Sequence, residues 1–118
     1  MTRKEQTIRA IRKLIKTYKK DEIITWCPLC TIWCGTEINK GCGACPNYNK
    51  KQDKYCLDML TMNDDYSFRE EMRAEFWETA LPKLEKLPDE AFTIKGYNED
   101  NFAFLWELDK KIFKKYNK

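Results

Sequence analysis

Six cysteines crowd into residues 27–56, and the chain contains no histidine. They are Cys27, Cys30, Cys34, Cys42, Cys45 and Cys56, in the order C-x2-C-x3-C-x7-C-x2-C-x10-C, and no other residue of the 118 is a cysteine. Two C-x2-C pairs stand eleven residues apart, counted between Cys30 and Cys42. A C-x2-C turn brings two thiolates to one side of a tight loop, and two such turns facing each other supply a tetrahedral set of soft ligands. Gly41 and Gly43, on either side of Cys42, permit the tight backbone that such a knuckle needs. The segment is expected to fold around a metal as an irregular, zinc-knuckle-like element.

Zinc held by Cys27, Cys30, Cys42 and Cys45 is the first expectation, with Cys56 and Cys34 as runner-up ligands. A [4Fe–4S] cluster is the alternative, since it also takes four thiolates and no imidazole. Cys27, Cys30 and Cys34 form a compact run, and Cys45 precedes Pro46 as the last cysteine of a bacterial ferredoxin run precedes proline. The run is not the ferredoxin C-x2-C-x2-C-x3-C-P, however, and the order C-x2-C-x3-C reverses that of radical enzymes. The remaining pair, Cys34 and Cys56, is left open between a ligand role, a disulfide and free thiols. The N-terminal residues carry no apolar run of the secretory kind, and no stretch approaches a membrane span. A reducing cytoplasmic location follows as the expectation, which favours metal over a disulfide framework.

Around this segment the pattern is helical. Thr2 and Glu5 have capping-box spacing, and Ile8, Ile11, Ile15 and Tyr18 follow at intervals of three and four. They predict a basic helix over 3–20. Residues 55–61 suit a short helix. Ser67 and Glu70 repeat the capping-box spacing, followed by an apolar stripe of Met72, Phe76, Ala80 and Leu84, joined by Trp77 and Leu81. Pro82 is expected to kink this helix or to start a new one. Asn98 is the expected cap of a last helix running to about residue 116, on the apolar residues Phe102, Leu105, Trp106, Leu108, Ile112, Phe113 and Tyr116. The fold class is therefore mainly α, in one domain over 1–118: a basic helix at 3–20, a metal-binding segment at 25–56 and a helical part at 67–116.

Charge is sorted along the chain. The net charge of +3 conceals eight Lys and Arg against one acid in residues 1–20, and five against thirteen acids in residues 61–109. Packing of basic beside acidic helices accounts for this pattern, and a polyanion-binding surface is the sharper reading. For nucleic acid the footprint would be Arg3, Lys4, Arg9, Arg12, Lys13 and Lys16. Without histidine the commonest general base is missing, and no phosphate-binding glycine motif or H-E-x-x-H is present. Four thiolates on zinc leave no open position for a substrate. A non-enzymatic role follows, with a redox or cluster enzyme as the exception.

The pattern C-P-L-C, then C-G-A-C-P, then Cys56 resembles that of small cysteine-rich proteins of bacteria and phages, over about residues 26–56. The resemblance rests on Cys27, Leu29, Cys30, Cys42, Cys45, Pro46 and Cys56. It implies a metal-binding fold in a phage- or host-related setting and implies no activity. It also strengthens Cys56 as a ligand candidate, while Cys34 lies outside the pattern. Taken together, the expected function is a structural metal that supports a surface for a macromolecular partner. A protein such as a host factor comes first, nucleic acid second, and a membrane is not expected.

Overall fold

The structure is a computed structural model and describes residues 2–20, 60–62, 69–93 and 101–116. Those residues form three α-helices, α1 (Arg3–Lys19), α2 (Arg69–Glu85) and α3 (Phe104–Tyr116), with 3-10 turns at Leu60–Met62 and Asp89–Phe92. Among the described residues there is no strand, and the mainly α architecture is as expected.

Thr2 starts α1: its hydroxyl accepts from the Glu5 N–H at 3.1 Å, and its carbonyl takes the Gln6 N–H at 3.0 Å. The helix buries Thr7, Ile8, Ala10, Ile11, Leu14 and Tyr18, while Ile15 is only partly buried. The buried face is thus turned toward Thr7 and Leu14 from the isoleucine stripe read in the sequence. Thr7 is fully buried on that face, and its hydroxyl is satisfied by donating to the Arg3 carbonyl at 2.7 Å, one turn back.

Helix α2 packs antiparallel to α1. Lys4 at the start of α1 meets the end of α2 at Glu85 and Leu87, while Lys19 at the other end reaches Glu78. The expected stripe of Met72, Phe76, Ala80 and Leu84 is fully buried, with Trp77 against Phe76 edge-on at 4.9 Å between ring centroids. Leu81 is half-buried. Pro82 neither ends α2 nor begins a new helix, for α2 runs unbroken to Glu85. The proline sits in the last turn at an exposed position, so the carbonyl it leaves without an N–H partner lies where water can serve it.

Helix α3 returns antiparallel to α2: the Lys83 ammonium stands over the Phe104 ring at 5.6 Å, and Lys115 reaches Glu75. It starts later than the Asn98 cap predicts. Residues 101–103 form turns, with the Leu105 N–H bonded to the Phe102 carbonyl and the Trp106 N–H to the Ala103 carbonyl, both i→i−3 bonds of the tighter 3-10 type. Phe102 is buried there and meets Phe92 edge-on at 5.4 Å, which ties the turn to the segment after α2. Asn98 and Ser67, the two other expected caps, lie outside the described residues.

Candidate functional site

The six cysteines, the proposed metal ligands among them, lie outside the described residues. Among the described residues no group of three or more acidic, cysteine or histidine side chains is arranged to hold a metal. The structure does describe the residues that precede and follow the segment in the chain, up to Lys20 and from Leu60. At one end α1 closes at Lys20, with Tyr18 buried in the core. At the other, Leu60 follows Cys56 by four residues and begins the 3-10 turn Leu60–Met62.

That turn is gripped by Asp109 of α3. The Asp109 carboxylate accepts from the Leu60 N–H at 2.9 Å on Oδ2, and from the Thr61 N–H and hydroxyl at 2.8 and 2.6 Å on Oδ1. Asp109 and Thr61 are both buried. On the other side of the turn, Arg73 of α2 donates from Nε to the Thr61 carbonyl at 3.0 Å, and its guanidinium stands over the Tyr18 ring at 5.8 Å. A buried carboxylate is tolerable only when its oxygens are saturated with donors, and three donors meet that need here. The same bonds satisfy the leading N–H groups of the turn, as an N-cap does within one segment. Leu60–Met62 is therefore pinned to α2 and α3 together.

The sequence reading missed Asp109. The signal was its register: Leu105, Asp109, Ile112 and Tyr116 share one face of α3, so an acid occupies an otherwise apolar stripe.

Two charged surfaces lie on the base. The first is an open groove of about 810 Å3, lined by Tyr18, Lys19, Glu71, Glu75, Glu78 and Tyr116 among others. Its acids are largely engaged within the chain. Glu78 pairs with Lys19 at 3.0 Å, and Glu75 takes Lys115 on both oxygens, at 2.9 and 2.7 Å, together with the Tyr116 hydroxyl at 2.8 Å. The Lys115 hydrogen bonds hold the Glu75 carboxyl below its ordinary value against the opposing effect of burial. Burial first, then the bond to Glu75, pushes the Tyr116 phenol up to about 12.

The pH consequence follows from those directions. The raised phenol favours the neutral form in the fold, so its contribution to stability is complete below the ordinary tyrosine value of ~10 and is lost as pH climbs from there to about 12. Glu75 works in the opposite sense: its contribution is present above the unfolded carboxylate value and is lost as pH falls through the lowered one. In a spectrophotometric titration of tyrosinate, Tyr116→Phe is expected to remove a late-ionising phenol, and Glu75→Gln to move that phenol toward earlier ionisation. A Tyr116 that ionises with the ordinary tyrosines in the parent protein contradicts this assignment.

The second surface is basic. Of the residues proposed for nucleic acid, Lys4 is engaged at the end of α2, where its ammonium donates to the Glu85 and Leu87 carbonyls at 2.8 and 2.7 Å. A cation there satisfies carbonyls that the helix end leaves open and meets the negative end of the helix dipole. Arg12 faces Glu85 at 3.5 Å in an exposed pair, and Arg3 also has interactions within the chain. Arg9, Lys13 and Lys16 are exposed on the face of α1 opposite the core. The structure thus divides the six between the packed flank and the open face. Among the described residues no helix is long and apolar enough to cross a membrane. No protein-family model, curated protein or solved structure matches the chain.

Proposed function

We propose that this chain is a metal–thiolate binding module. Cys27, Cys30, Cys42 and Cys45 hold one structural Zn2+, with Cys56 and Cys34 as the reserve ligands, and the metal-tied segment on its helical base presents a surface to a macromolecular partner. The observation that carries this reading is the spacing of two C-x2-C pairs in a chain that has no histidine. The donor set suits zinc: four thiolates close the coordination shell, which assigns the metal to architecture and leaves no position for a substrate. A reducing compartment, the cytoplasm, keeps such thiols available. The likeness to cysteine-rich proteins of bacteria and phages supports a setting in which a small phage or mobile-element protein engages a host factor.

The test is metal retention in single serine variants. Cys27→Ser, Cys30→Ser, Cys42→Ser and Cys45→Ser are each expected to lose zinc or to release it to a weak chelator, whereas Cys34→Ser keeps it. Full zinc retention by all four of the first group contradicts the ligand set. Iron and acid-labile sulfide in place of zinc would transfer the same thiolates to a [4Fe–4S] cluster with a redox role.

A further inference from the structure

The cations of α1 fall into two groups. On the flank toward α2, Lys4, Arg12 and Lys19 are tied to Glu85, Leu87 and Glu78. On the opposite side, Arg9, Lys13, Lys16 and Lys20 recur at steps of four, three and four, which sets them in a single line along the helix and its last turn. All four are exposed, and among the described residues none has an ion-pair partner. Like charges at these spacings repel, so the line costs the isolated helix stability. Glu75, Glu78 and Glu85 are occupied by Lys115, Lys19 and Arg12, and the acids that share a groove with the line, Glu5 and Asp89, lie beside Arg9 alone, at its first position.

We infer that this line of Arg9, Lys13, Lys16 and Lys20 binds the phosphate backbone of nucleic acid without reading its sequence. Eleven residues of helix rise about 16 Å, a length over which a DNA duplex presents about ten phosphates counting both strands. A row of four cations on a straight rod matches a repeating row of anions, and each contact releases condensed counterions. No base-reading motif accompanies the row, so affinity comes from the backbone alone. The inference names the partner class for the binding module proposed above. It rests on α1, which contains no cysteine, and so does not depend on which metal the cysteines hold.

The experiment is fluorescence anisotropy with a labelled generic DNA duplex of about 20 base pairs, on full-length protein whose metal content is measured in the same sample. Four phosphate contacts predict a slope of log affinity against log salt of about −3 to −4, and a loss of roughly 100-fold between about 50 and 200 mM salt. The triple variant Arg9→Gln, Lys13→Gln, Lys16→Gln is expected to reduce the slope to about −1. A charge-matched control, Lys110→Gln, Lys111→Gln, Lys114→Gln, alters exposed positions of α3 and is expected to keep most of the slope. Helical circular dichroism checks that both variants fold.

Absence of salt-dependent binding in the parent protein overturns the inference. So does equal loss in both triple variants, which would assign the effect to net charge. Competition by polyglutamate as effective as by unlabelled duplex also overturns it, in favour of an acidic polypeptide partner. Missing metal with intact DNA binding would instead overturn the metal reading and leave this one standing.

Discussion

Asp109→Ala is expected to destabilise the fold by about 3–5 kcal/mol, read as a fall in the denaturant midpoint with little change in slope. The substitution leaves three donors without their acceptor: the Leu60 N–H, the Thr61 N–H and the Thr61 hydroxyl. A buried donor left unmade costs about 1–3 kcal/mol. Removing a desolvated charge and admitting water each offset part of the sum, which places the expectation below the simple total. Asp109→Asn separates the two oxygens. An amide that keeps its oxygen toward Thr61 retains two of the bonds and sets an N–H against the Leu60 N–H, so a loss of about 1–2 kcal/mol is expected. A change under about 1 kcal/mol for the alanine variant would mean that the clamp contributes nothing to holding this turn.

Removal of the proposed metal is expected to have the larger effect. Structural zinc in small finger domains contributes an apparent ~10–16 kcal/mol that is coupled to folding. Here the base has a core of its own, with Ile11, Leu14, Phe76, Trp77, Leu84, Phe92 and Leu105 almost wholly buried. Part of the helix content should therefore survive chelation. A chelator together with a reductant is expected to lower the melting temperature by roughly 15–30 °C, which at this chain length corresponds to several kcal/mol. The residual helical signal belongs to α1, α2 and α3. An unchanged melting curve after complete metal removal would contradict a structural role for the metal.

The helices were legible because each advertises itself locally. Thr2 supplies a cap, the isoleucines of α1 and the Met72–Leu84 stripe of α2 recur at helical spacing, and the lysines at the end of α3 suit its dipole. What was misread depended on contacts distant in sequence. The described α3 begins at Phe104, after a turn in which Phe102 packs on Phe92, while the expected cap Asn98 lies outside the described residues. Pro82 was expected to kink α2 or to start a new helix; it starts none, because near the exposed end of a helix whose other face is buried its local cost is small beside the packing. Asp109 bonds to residues 48 and 49 positions away, and no local pattern encodes such a partner. Lys4 and Arg12 were grouped with the open cations because charge in a sequence carries no neighbours. Only the antiparallel placement of α2 separates them from Arg9, Lys13 and Lys16.

The Asp109 clamp holds Leu60–Met62, four residues beyond the last cysteine, and the proposed role of residues 25–56 depends on the metal. Elemental analysis of the protein purified without air, with an absorption spectrum of the same sample, tests it most directly. The account predicts about one zinc per chain in a colourless sample. A sample with no bound metal would contradict the thiolate site, and a brown one carrying iron and acid-labile sulfide would contradict the structural-zinc assignment and make this a cluster protein.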